Sequence, residues 1–584
     1  MRRNRAAVLL SAALLTGCGV PSSGGVEVWD QDPVQSDQEG PAEQQYVPTD
    51  DSESTVKNFL HAAAGSDVDR QNRLDAFTEE PENYSNPADG IGIIDVAATG
   101  YDGRFDDTSH ATVEVTGRRT GTYLPDGRVR TNPDPAEYNF TFELEREDYG
   151  DTWTIVDVPT DLVMLRDAFH ELYESSPVYF EATGGGSTNL LVPDLRWIYK
   201  NPRGGKESLE KRFSWVLQGP SDLVSQTARN AIPSGVSADM TVEDDVVAVD
   251  LTRTDSTTEI DPGKISAIAA QLVWSLGLNS AAQPLELSFD GGDTRAAGTI
   301  DNWRSWNAVP SPSGSDEAAF YIQDGTVYQY DNNNTHNSTP SPVYPWVGFH
   351  AEGLTAVAVE DQRLAAVIGD GLYTSSWSDP ANDLVPVLKG KEFSHPQWLD
   401  SKHLLCIVDG RLSLVNVVDG TDSELSQSPV TDVAVSAEKR RVAYVSNGKV
   451  FLAPIIFSGD SVSLGSPTRI AYDIGDVTSV AWASESNLWI AGAKRDLSPS
   501  IHRQTIDGAE GEQKQDAIAL EFTDLAARQA DPTDPQARFG EPLVGVANGR
   551  LMRSYTSTLV DLEGTEGAQS PFVVLQGAEN TAPK

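Results

Sequence analysis

Cysteine is nearly absent: the 584-residue chain has two, Cys18 and Cys406. With Cys18 committed elsewhere, no internal disulfide can form, and stability must come from large apolar cores. Histidine is sparse, eight residues scattered singly with no pair at metal-ligand spacing. Cations are outnumbered, 43 Lys and Arg against 87 Asp and Glu, giving a formal net charge of −44. Such a polyanion is repelled by nucleic acid, which is therefore not an expected partner. Long hydrophobic runs are missing too; no segment has the roughly 18 uninterrupted apolar residues that a membrane-crossing helix needs.

What is present begins with MRRNR followed by AAVLLSAALL, a charged start and a short apolar stretch. That order describes a bacterial export signal over residues 1–17. Arg2-Arg3 lacks the flanking pattern of twin-arginine export, which favours the general pathway. Leu15-Thr16-Gly17-Cys18 matches the bacterial lipobox. The resemblance implies cleavage between Gly17 and Cys18, and S-diacylglycerol plus N-acyl (palmitate-class) modification of Cys18. A single acyl chain binds membranes marginally, whereas two or more anchor stably. Residues 18–44 are rich in Gly, Ser, Pro, Gln and acid, a flexible tether reaching roughly 25–30 Å root-mean-square.

Three folded regions are expected beyond it. In residues 45–160, Val56, Phe59, Leu60 and Ala63 have helical spacing, with Asp51 or Ser52 as the N-cap and Gly65 as the stop. Tyr138, Phe140, Phe142 and Leu144 alternate as one face of a strand. This α+β region looks like an NTF2-like domain. In residues 175–300 strands alternate with helices; Asp261, Pro262 and Gly277 bracket a helix with the stripe Ile265, Ile268, Ala269, Leu272 and Leu276. The series Tyr179-Phe180, Leu191-Val192-Pro193, Leu217-Gln218-Gly219-Pro220, Ile232-Pro233, Val249-Asp250-Leu251 and Gln271-Leu272-Val273-Trp274 resembles an α/β GerMN domain. Asp250, at a strand end, reads as a turn-capping carboxylate.

Residues 310–584 repeat a turn followed by an alternating strand, at Asp324-Gly325, Asp370-Gly371, Asp409-Gly410, Asn447-Gly448 and Asn548-Gly549. Asn or Asp before Gly accepts the positive φ angles of a two-residue hairpin turn. AGAKRD near residue 493 occupies a degraded sixth position, and LTAVAV, PQWL, VTDVAV and VTSVAW supply strands upstream. A period of about 40–45 residues predicts an all-β propeller of about six blades.

Export signal, lipobox, NTF2-like region, GerMN domain and propeller, in that order, resemble the LpqB lipoprotein family of high-GC Gram-positive bacteria. The resemblance implies a lipid-anchored protein on the extracytoplasmic face. It further implies an accessory of the MtrAB two-component system, with the sensor region of an MtrB-like kinase as partner and a role in envelope homeostasis and division. The alternative is an envelope propeller that binds or hydrolyses glycans, with Trp346, Trp377, Trp398, Trp482 and Trp489 as candidate platforms and an acid pair hidden in the channel.

No catalytic residue, metal or cofactor is expected from the motifs. Gly184-Gly185-Gly186-Ser187 is an isolated turn, not a nucleophile elbow. His170 starts a zincin-like HELYE, but Glu174 stands where the second histidine belongs. Asp67 and Asp69 begin a calcium-like loop whose glycine is missing and whose final glutamate is replaced by Thr78. Asp331 opens a polar loop, and Ser54-Thr55-Val56-Lys57 fits S-x-x-K without companion motifs. Cys406, within HLLCIVDG, reads as a buried apolar residue.

Overall fold

The structure is a computed structural model, and it describes residues 46–574 apart from 69, 79–86, 106–107, 186–188, 201–204, 255–260, 310–317, 331–335, 496, 535–542 and 556–557. The export signal, Cys18 and the tether lie outside the described residues, as do Asp69, Gly186, Ser187 and Asp331.

Asp51 does cap the first helix, Ser52–Ala62, accepting from the Ser54 backbone N–H at 2.8 Å. The expected stop at Gly65 falls two residues late: Ala63 is the C-cap, and the chain turns before the glycine is reached. Val56, Phe59 and Leu60 pack onto a six-stranded sheet dominated by the paired strands His110–Tyr123 and Val129–Glu145. This core does not end at 160 as the sequence reading had it. Val163–Leu165 pairs parallel with Ile91–Asp95, and the helix Arg166–Leu172 buries Phe169 and Leu172 in the same core. The chain then leaves through a two-stranded ribbon, Tyr173–Ser175 against Trp197–Tyr199. Glu174 therefore sits in a strand and not on the helix of His170, which separates the two ends of the zincin-like stretch.

The second region holds a βαβ unit. Val246–Arg253 and Leu285–Phe289 pair in parallel and are joined across the helix Ile265–Leu276, the kind of crossover a parallel pair requires. Ala267 to Leu276 are all buried, so the helix is covered on every side and not only along its expected stripe. Asp261 caps the preceding 3-10 turn through the Gly263 N–H, and Gly277 closes the helix in the left-handed conformation at φ 71°.

Among the described residues the third region contains six antiparallel sheets of four strands, one of them with an additional strand. The innermost strands of successive sheets touch in sequence: Leu354–Glu360, Phe393–Trp398, Asp432–Val435, Ile474–Trp482, Phe522–Ala527 and Gln569–Phe572, which returns to the first. Gln569–Phe572 completes the sheet that begins at Ala319, so the chain's end closes the ring onto its start. Four of the expected turns join second and third strands with positive φ at both positions: Asp324-Gly325, Asp409-Gly410, Asn447-Gly448 and Asn548-Gly549. The fifth is shifted by one residue. Ile368 pairs with Gly371, so the turn is Gly369-Asp370, with the positive φ of 58° on Gly369. A glycine at the first central position suits a type II′ turn, and it outcompetes the Asp-Gly pair one step later. At the sixth position Asn487–Lys494 and Ser500–Thr505 are joined by a longer loop.

Candidate functional site

Both smaller domains meet the ring through the connections between first and second, or third and fourth, strands. In an antiparallel sheet those connections lie at the edge opposite to the second-to-third turns, so one face of the ring carries the docked domains. Glu485 lies in such a turn and is buried. Tyr179 of the second domain donates its hydroxyl to Oε2 at 2.7 Å, and Asn307 of the connecting segment donates to Oε1 at 2.7 Å. Arg441 donates to the Glu485 carbonyl at 2.9 Å and to Glu438 at 2.6 Å, with its guanidinium 4.9 Å from the Trp482 ring centroid. Arg304 pairs with Asp531 at 2.8 Å across the same junction.

Burial pushes the Glu485 carboxyl up to about 6, against the pull of the hydrogen bonds from Tyr179 and Asn307. The sign follows from linkage: a carboxyl whose folded value is raised makes the folded state progressively less stable as pH rises through the interval from its free value to the raised one. Wild type is expected to lose about 2 kcal/mol of stability relative to Glu485→Gln as pH rises from about a unit below 4.5 to about a unit above 6. Denaturant titrations of both proteins across that interval measure it, and parallel profiles would contradict the assignment.

A second junction uses the turn after Ser500–Thr505. Asp507 accepts from the Trp197 indole N–H and from the Thr505 hydroxyl, both at 2.7 Å, while burial pushes its carboxyl up. Thr131 donates to the Asp507 carbonyl at 2.8 Å. A ring nitrogen of His170 lies 3.0 Å from the Ala509 carbonyl oxygen, so this histidine belongs to a domain contact. A third contact comes from Arg440, which donates to the Gly184 carbonyl at 2.8 Å beside Phe457. Phe457 stands on a hairpin, Ile455–Ser458 paired with Ser461–Leu464, that extends beyond its sheet. Gly184 and Gly185 pack so closely against this hairpin and Arg440 that a Cβ at either would collide.

Sequence reasoning found none of these contacts, because their partners are hundreds of residues apart. It also missed an ionic cluster on the innermost strands. His395 Nε2 lies 3.3 Å from Asp432 and 3.7 Å from Asp524, and the buried Asp432 also accepts from the Val433 and Val480 N–H groups at 2.7 Å. Burial disfavours a charged imidazole, but the two carboxylates outweigh it and hold His395 above its ordinary value. His395 adopts φ 50° where the strand register shifts.

Other candidates take structural places. Asp250 accepts from Ser288 at 2.6 Å, Gly291 at 3.0 Å and Thr252 at 3.0 Å, the turn-capping role expected of it. Cys406 is fully buried, and burial pushes its thiol up to about 12. Asp67 is engaged by Arg70 and by Lys211, the latter at 2.6 Å. Lys57 turns to Glu53 and the Tyr101 ring, so Ser54-Thr55-Val56-Lys57 assembles no nucleophile with a base. Trp398 and Trp482 donate to the carbonyls of Ala358 and Ala434 on neighbouring sheets. Trp346 stacks on Trp377 at 5.1 Å, and Trp489 is buried, so packing accounts for the expected platforms.

Three family descriptions match successive parts of this architecture: Lipoprotein LpqB, N-terminal domain, at 46–170; Germane, sporulation and spore germination, at 177–294; and Lipoprotein LpqB beta-propeller domain, at 325–532. The chain belongs to the LpqB lipoprotein family. The LpqB of Corynebacterium diphtheriae is 24% identical, over 98% of this chain and 100% of its own length. That of Streptomyces coelicolor is 24% identical over 91% of this chain and 92% of its own. Solved structures of a nidogen/laminin complex (8% identity, 45% of this chain, 99% of that one, TM-score 0.32) and of the Myceliophteria thermophila Cps50 (Swd1) β-propeller domain (12%, 44% and 88%, TM-score 0.29) are only distantly similar. The LpqB matches establish a multidomain, mostly β protein with a propeller domain, and none of the descriptions names an enzyme. LpqB relatives are lipoproteins, which implies membrane anchoring, and among the described residues no helix is long and apolar enough to cross a membrane.

Proposed function

We propose that this chain is a lipid-anchored, non-enzymatic accessory of a membrane sensor kinase of the MtrB type, acting from the extracytoplasmic face in envelope homeostasis. In this reading the first domain is NTF2-like, the six sheets are the blades of a six-bladed propeller, and Cys18 carries the lipid. The observation that carries it is the division of the ring into two faces. One face is occupied by the chain's own domains through Glu485, Asp507, Arg440 and Asp531. The opposite face presents the repeated hairpin turns, whose Asp324, Asp409 and Asn548 are exposed. A lipid tether raises the local concentration of such a face to about millimolar, so a weak contact with a neighbouring ectodomain is occupied. Because the chain stays outside the membrane, it acts by favouring one state of a two-state sensor.

A glycan-hydrolysing propeller is supported less, because His395 bridges the two channel carboxylates that hydrolysis needs as free acid and base. Photocrosslinking residues placed at Asp409 and Asn548 in intact cells are expected to capture the kinase, whereas one at the exposed Tyr149 is not. Equal capture from all three positions, or capture of no kinase, would refute the docking face.

A further inference from the structure

A crevice of about 510 Å³ separates the first domain from the ring, with the turn carrying Gly508 and Ala509 as its floor. Its charge runs against that of the whole molecule. In a chain of net charge −44, the described residues that line this crevice include four cations and two acids, Asp134 and Asp473. Arg118 and Arg166 stand on the wall of the first domain, and Lys494 and Arg495 on the wall of the ring. Lys494 is paired with Asp473 at 3.0 Å, and Arg166 is loosely paired with Asp95 at 3.6 Å. Arg118 and Arg495 are exposed, and among the described residues neither is paired with a carboxylate. Between the cations lie apolar surfaces, including Leu497, which is 55% exposed.

Two guanidinium groups that pair with no carboxylate among the described residues are not needed for the solubility of so acidic a chain. Low-dielectric walls focus their field into the crevice, and a guanidinium pairs in bidentate fashion with carboxylate or phosphate. We propose that the crevice is a binding site for a small amphipathic oxyanion, a molecule with carboxylate or phosphate groups on an apolar body. The cations come from two domains, so an anion that reaches both walls tightens their junction. Its ring wall is the loop between Asn487–Lys494 and Ser500–Thr505, the sixth of the second-to-third connections, so the site borders the turn face at that sheet.

Calorimetric titration of the full chain with muramyl dipeptide (carboxylate) and with a short-chain phosphatidic acid below its micelle concentration (phosphate) tests the proposal and distinguishes the two sources. At least one probe is expected to bind, with affinity falling as salt rises. The double variant Arg118→Glu/Arg495→Glu is expected to weaken that binding by at least about tenfold. Both residues are exposed, so the melting temperature should stay within a few degrees of wild type, and Lys389→Glu, exposed on a different sheet and outside the crevice, should bind as wild type. Failure of both probes to bind at millimolar concentration would overturn the proposal. So would unchanged binding by the double variant, or an equal loss in Lys389→Glu.

Discussion

Cys18→Ala is expected to move the whole chain from the membrane fraction to the soluble fraction and to abolish labelling by radioactive fatty acid. Among the described residues no helix is able to span a bilayer. The effect should be nearly all-or-none, because each buried methylene contributes about 0.8 kcal/mol and the diacylglycerol supplies two chains at once. The folded part should be unaffected, as Cys18 lies well ahead of the first described helix, Ser52–Ala62, in the chain. Fractionation of cells expressing the two forms decides the matter. A variant that stays membrane-bound and labelled would mean that Leu15-Thr16-Gly17-Cys18 is not the lipidation site. Loss of the anchor should also remove kinase capture from Asp409 and Asn548, since the local concentration that sustains a weak contact is gone.

The second large effect lies at the junction of the ring with the second domain. Arg441 and Glu438 form an ion pair of 2.6 Å with both side chains no more than 3% exposed. Arg441→Met removes the paired cation and leaves the buried Glu438 with the Ser436 hydroxyl and the more distant charge of Arg440. Breaking one side of a buried pair costs about 3–5 kcal/mol, because the remaining charge is neither solvated nor compensated. The loss also frees the Glu485 carbonyl, so the ring should loosen its hold on the domain carrying Tyr179. Chemical denaturation is expected to show the destabilisation, and limited proteolysis should cut earlier between the second domain and the ring. The double variant Arg441→Met/Glu438→Leu should recover most of the stability. If it is no better than the single variant, the penalty comes from lost packing on Trp482 and not from the orphaned charge.

The repeated turns were legible because a two-residue hairpin imposes a backbone conformation that few residues tolerate. Asn447-Gly448 and Asn548-Gly549 therefore announce their strands wherever they occur. The shift at residue 370 shows the limit of that signal. In GDG two overlapping pairs qualify, and only the cross-strand register of Ile368 with Gly371 selects one. Asp250 and Cys406 were legible for local reasons, an acid at a strand end and an apolar strand around a thiol. The domain edge at 160 was misplaced because Val163–Leu165 is a three-residue strand whose partner, Ile91–Asp95, lies far back in the chain.

The sequence by itself determined the export signal pattern, the order of three folded regions and the strand repeat of the third, since each is written in composition or short-range periodicity. Tertiary structure alone decided which face of the ring carries the docked domains and where Tyr179, Trp197 and Arg304 find their carboxylates. It also decided how His395, Asp432 and Asp524 come together. Those pairings join residues on different sheets and domains, and no local pattern encodes them. They exist because closing the ring and docking two domains on it buries charges that must then be matched.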